Sequence, residues 1–61
     1  MPLVTVKLLE GRTLEQKRAI VEKITQAFFE VDGTPSENVF IDLQDMPRDT
    51  FARNGKLISD Q

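Results

Sequence analysis

An α+β fold built on one βαβ unit, followed by a short C-terminal hairpin or arm, is what this 61-residue sequence predicts. Three observations carry that expectation. Residues 3–9 (LVTVKLL) alternate aliphatic with polar side chains, residues 14–31 repeat apolar residues at helical spacing behind a capping signal, and residues 39–44 (VFIDLQ) alternate again.

In the first segment Val4, Val6 and Leu8 share one face of a strand and Thr5 and Lys7 the other. Glu10-Gly11-Arg12 punctuates the chain. Thr13 and Gln16 then fit a capping box, in which each side chain satisfies the other's backbone N–H. Projected at about 100° per residue, Leu14, Ile20, Val21, Ile24, Ala27, Phe28 and Val31 share an arc of about 140°. Lys17 intrudes on that stripe, with a stem suited to apolar surface and an amine suited to water. Phe29 lies outside the arc among Glu15, Arg18 and Glu22, which argues for a contact with another subunit.

Asp32-Gly33 ends the helix, with Gly33 fitted to a left-handed cap. Thr34 to Glu37 make a turn, compatible with one turn of 3₁₀ helix. In the second strand, Val39 to Gln44, the apolar Val39, Ile41 and Leu43 alternate with Phe40, Asp42 and Gln44. Strand, helix and strand imply a right-handed crossover between parallel strands. From Met46 to Gln61 the residues Pro47, Asn54 and Gly55 suit a hairpin, or an arm reaching a neighbour, better than a core element.

The length allows one domain, residues 1–61, and a chain this small buries only about 60% of the surface its unfolded form exposes. Cysteine and histidine are both absent, which removes disulfides and the usual soft-metal ligands as supplements to a small core. Two parallel strands under one helix also leave both sheet edges open. Pairing with a second copy would extend the sheet to four strands, so a homo-oligomer is expected. A formal charge of −2 is poor material for binding nucleic acid. No apolar run approaches the ~20 residues of a membrane span, and the N-terminal MPLVTVKLLEG lacks the features of a signal peptide. A cytoplasmic location is the expectation.

Without His or Cys no side chain has an unperturbed pKa near neutrality, whereas an α-amino group titrates at about 8. Pro2 therefore draws notice. Proline is tolerated at the start of a strand, and that alone would explain it. Removal of Met1, however, would expose a rigid secondary amine, which an apolar pocket and the guanidinium of Arg12 would push toward its uncharged form. With Met1 attached the same nitrogen is an amide and cannot act as a base. Arg12 follows a glycine at a strand end beside a helix N-terminus. An arginine there is ordinarily solvated, but it could instead grip a carboxylate with two parallel hydrogen bonds. Arg48, Arg53 and Lys56 make the tail basic, and Arg53 is a candidate to reach the site. Phe51 is either a satellite core residue or an apolar pocket wall. Asp42, Asp45 and Asp49 match no calcium-loop spacing, so no metal is expected.

Met1-Pro2, the aliphatic strand, Leu9-Glu10-Gly11-Arg12-Thr13 and Glu15-Gln16-Lys17 together resemble the start of 4-oxalocrotonate tautomerases. The resemblance runs on without a gap through residues 39–46 and from Phe51 to Gly55. It implies a βαβ protomer of the tautomerase type, a dimer with a four-stranded sheet, and a hexamer made of three dimers. It also implies cofactor-free isomerisation of a small unsaturated 2-hydroxy or 2-oxo acid such as 2-hydroxymuconate, and a place in aromatic-compound catabolism. Carried over by residue, Pro2 is the base and Arg12 binds a substrate carboxylate. Phe51 contributes the apolar wall, and Leu9 lines the pocket.

One departure stands out. Where well-known members of that family place a second arginine, early in the second strand, this chain has Phe40. Losing one such preorganised donor can cost on the order of 10²–10³ in rate. Either Arg53 or Arg48 takes its place, or the substrate lacks the group that it would hold. Two alternatives stand beside the isomerase. One is a dehalogenase or decarboxylase of a short unsaturated acid, disfavoured because the chain offers no dedicated acid for activating water. The other is a non-catalytic βαβ oligomerisation module.

Overall fold

The capping pair is the clearest link between local sequence and structure in the computed structural model, which describes residues 1–61. The Thr13 hydroxyl accepts from the Gln16 backbone N–H at 3.1 Å, and the Gln16 side chain accepts from the Thr13 N–H at 2.9 Å. Two of the four unpaired donors at a helix start are thereby satisfied, which is typically worth about 1 kcal/mol. Helix α1 spans Leu14–Asp32 and ends at Gly33, whose φ of 76° lets its N–H reach the Phe29 carbonyl at 2.9 Å. A side chain at Gly33 would strain that left-handed cap.

Strand β1 (Leu3–Leu9) pairs in parallel with β2 (Phe40–Met46), Leu3 opposite Phe40 and Leu9 opposite Met46. A 3₁₀ turn, Ser36–Asn38, leads into β2. The second strand thus begins and ends later than the predicted residues 39–44. The Val39 N–H is taken by the Ser36 carbonyl at 3.2 Å, closing the turn. At the far end Leu8 and Leu9 extend the ladder to Asp45 and Met46.

Val4, Val6 and Leu8 of β1, with Ile41 and Leu43 of β2, are half-buried on one face of the sheet, and Ile20, Val21, Ile24 and Phe28 are half-buried on the helix. An ion pair between Lys17 of α1 and Asp45 of β2 ties the two layers together. This corrects the expectation that the Lys17 amine sits in water. Pairs of this exposure contribute at most about 1 kcal/mol. Three residues predicted for the core stripe, Leu14, Ala27 and Val31, are exposed, Val31 at 85%. They lie on the predicted arc, but the two-stranded sheet is too narrow to cover them.

The tail forms a hairpin. Strands β3 (Ala52–Arg53) and β4 (Lys56–Leu57) pair antiparallel around Asn54-Gly55, with φ of 56° and 80°. Positive φ at both loop residues is what a two-residue type I′ hairpin requires. A closing 3₁₀ turn, Ile58–Asp60, bonds back to the Phe51 and Arg48 carbonyls.

No residue of the isolated chain is buried. Its radius of gyration is 14.6 Å, where a compact 61-residue domain would have about 10.5 Å. Its accessible surface is 4831 Å², against about 4,000 Å² for a compact chain of this mass. Leu3 and Phe29 stand 69% and 58% exposed. One helix over two strands cannot close around its own apolar side chains.

Candidate active site

Parallel pairing gives the sheet two chemically different ends. At the leading end Pro2 precedes β1, and its carbonyl accepts from the Phe40 N–H at 3.0 Å. That bond fixes the Pro2 backbone beside the start of β2. Leu3 and Phe40 lie side by side there, both exposed on the face away from the helix. Because α1 must run back across the sheet between parallel strands, its last turn also lies toward this end. The Asp32 carboxylate there accepts from both the hydroxyl and the backbone N–H of Thr34, the latter at 3.0 Å. Those bonds hold its pKa below the ordinary aspartate value, since they favour the charged form.

At the trailing end the Glu10 N–H donates to the Met46 carbonyl at 3.0 Å, and the Glu10 carboxylate accepts from the Arg48 N–H at 3.4 Å. The Arg48 guanidinium comes within 3.9 Å of where a Gly11 side chain would begin. Arg12 donates one N–H to the Leu9 carbonyl at 3.2 Å and enters no ion pair, which leaves most of its fork open to an anion. Phe51 and Arg53 sit beyond this end on the hairpin. The Phe51 carbonyl accepts from Ile58 and the Arg53 carbonyl from Gln61.

The predicted site residues therefore do not all meet within one chain. Leu9, Arg12 and Arg48 gather at the trailing end, with Phe51 and Arg53 on the adjoining hairpin. Pro2 lies at the opposite end of β1, about 23 Å away along seven residue steps. The expected closeness of Pro2 and Arg12 is not available inside one protomer, and only a second copy could bring an Arg12 to a Pro2. The largest concavity of the single chain, about 590 Å³, is elsewhere. It lies between α1 and the 3₁₀ turn, lined by Val21, Thr25, Phe29 and Pro35 among others, and includes none of the five predicted site residues.

Glu10 escaped the sequence reading. Its role in tying residues 46–48 to the end of β1 arises from contacts 36 to 38 positions apart, which no local pattern announces. No group of three His, Cys, Asp or Glu side chains converges anywhere, and no helix is long and apolar enough to cross a membrane.

Comparison with known proteins agrees with this architecture at every level. Residues 2–61 match the family model described as tautomerase enzyme. A 2-hydroxymuconate tautomerase from Bacillus subtilis is 50% identical over 60 residues, spanning 98% of this chain and 97% of that protein. A crystal structure of a 4-oxalocrotonate tautomerase homologue superposes with a TM-score of 0.90 at 48% identity, covering 98% of both chains. A second such homologue gives 0.93 at 39% identity, over 100% of this chain and 97% of the other. A βαβ unit with a proline ahead of its first strand, matched along its whole length in sequence and in shape, places this chain in the tautomerase family.

Proposed function

We propose that the chain is an isomerase that interconverts enol and keto forms of a small unsaturated 2-hydroxy or 2-oxo acid, 2-hydroxymuconate being one such acid. The nitrogen of Pro2, bared by loss of Met1, acts as the general base. It takes the 2-hydroxyl proton and returns a proton to a carbon of the conjugated chain, so the amine is regenerated. Arg12 of a second copy grips the substrate carboxylate. Leu9 and Phe51, likewise from a neighbouring copy, wall the pocket, and Arg53 of such a copy adds positive charge at its rim.

The observation that carries this reading is the placement of Pro2. Its carbonyl is pinned to β2 while Met1, 89% exposed, is open to an aminopeptidase. Once freed, the nitrogen has a direction fixed by the proline ring and by the Phe40 bond. Burial against apolar side chains and a guanidinium from a second copy disfavour its ammonium form, while the Asp32 carboxylate nearby favours it. The first two must prevail for the amine to serve as a base near neutral pH. Turnover of phenylenolpyruvate or 2-hydroxymuconate by the processed protein tests this. The pH profile of kcat/KM should be governed by one basic group near neutrality, rising as the amine loses its proton and levelling off above that pH, and absence of turnover of both enols would end the proposal.

The same reading has the open edges of the sheet pair into a four-stranded sheet, and three such pairs form the hexamer that the family resemblance implies. The exposed Leu3, Phe29 and Val31 and the extended shape support assembly. Sedimentation at micromolar concentration should find a multiple of the 7.0 kDa chain mass. A stable folded monomer there would contradict it.

A further inference from the structure

We propose that Phe40 sets substrate choice, so that the site prefers a monocarboxylic enol acid bearing an aryl or bulky apolar substituent over a conjugated dicarboxylate. This deepens the tautomerase reading and rests on it. The argument begins with where the charges lie. No Lys or Arg precedes Lys7, and none occurs between Lys23 and Arg48. Lys7 is about 17 Å from Pro2 along β1, and Lys23 is about 13 Å up the helix from its last residue. The leading end of the sheet thus has no cationic side chain of its own, and its positive charge is the chain's α-amino group, close enough to help lower the Asp32 pKa. The charged residues in the segments that build it, the last turn of α1 and the turn before β2, are Glu30, Asp32 and Glu37, all acidic. The cations Arg12, Arg48, Arg53 and Lys56 belong to the trailing end and the hairpin.

A substrate seated with its reacting atoms at Pro2 therefore meets two unlike surroundings. Towards a second copy's trailing end it finds guanidinium groups, enough to hold one carboxylate. Towards its own chain it finds Phe40, which is 47% exposed and bonded through its backbone to Pro2, with Leu3 directly beside it. An aryl ring gains from burial against such a surface and from edge-to-face or offset contact with the Phe40 ring. A second carboxylate would be stripped of water there with no donor to replace it, and with acidic side chains nearby.

The chemistry balances without any further group. In the enol of an aryl-substituted pyruvate, the Pro2 amine takes the 2-hydroxyl proton as the C2–O bond becomes a carbonyl. The C2–C3 π electrons take up a proton from the prolinium, giving the 3-CH₂ ketone and the free amine.

The test compares kcat/KM for phenylenolpyruvate with that for 2-hydroxymuconate, in the processed protein and in Phe40→Arg and Phe40→Leu variants. The unmodified protein should favour the aryl monoacid. Phe40→Arg should move the ratio toward the diacid by on the order of tenfold to a hundredfold, the worth of one charge-assisted contact, chiefly through KM for the diacid. Phe40→Leu, which keeps an apolar side chain at a half-exposed site, should shift the ratio less than Phe40→Arg does, by about twofold to tenfold, the loss of aromatic pairing alone. A native preference for the diacid, or a ratio unmoved by Phe40→Arg while both substrates turn over, overturns the proposal. Failure of the native protein on both substrates would instead bring down the tautomerase reading, and this inference with it.

Discussion

A preparation that keeps Met1 is expected to ketonise enol acids about 10²–10⁴ times more slowly than one that begins at Pro2, the range usually lost with a general base. The mechanism is electronic. In the retained form the Pro2 nitrogen is an amide whose lone pair is delocalised into the Met1 carbonyl, while strand pairing and the Phe40–Pro2 bond stay as they are. The two forms should therefore have matching circular dichroism and unfolding midpoints. Mass spectrometry of the intact chain assigns each preparation, and treatment with methionine aminopeptidase should restore the rate. Pro2→Ala, processed in the same way, keeps an amine but loses the ring that aims it, and should also lose most activity. Equal rates in all these forms would remove Pro2 from the mechanism.

Arg12→Ala should lower kcat/KM by roughly 10²–10³ if its guanidinium steadies charge on the substrate, the cost typical of one such preorganised donor. Its fork makes a single bond to the Leu9 carbonyl, so the fold should survive the substitution. The more telling experiment mixes the two inactive variants. Seven residue steps of β1 separate Pro2 from the end that carries Arg12. A site using both must then draw on two chains. Unfolding Pro2→Ala and Arg12→Ala together and refolding them in equal amounts should recover about one quarter of the native rate, because one random pairing in four combines the intact halves. A site within one chain would recover nothing.

The fold was largely readable because its signals are local. Alternation in Leu3–Leu9 and the Thr13/Gln16 box each depend on neighbours within four residues, and both strand and helix begin where those signals put them. The Asn54-Gly55 turn is equally local. What misled was long-range competition. Val39 fits the alternation of β2, but its N–H is taken by Ser36, and the strand instead lengthens to Met46 to match Leu9. Lys17 reads as a solvated intruder until Asp45, 28 positions away, is brought alongside. For the site, the sequence names residue types suited to the chemistry but not their arrangement. Length times rise along β1 already separates Pro2 from Arg12, so the need for a second copy was implicit in a strand that was correctly predicted.

A protomer whose every side chain still touches water gains little by folding alone. Acquiring shape and finding a partner then become nearly one event, governed by how many copies the cell holds. Catalytic output should climb more steeply than expression at scarce levels and flatten once the copies find one another. Orphaned chains, loosely held, are the ones that quality-control proteases would clear.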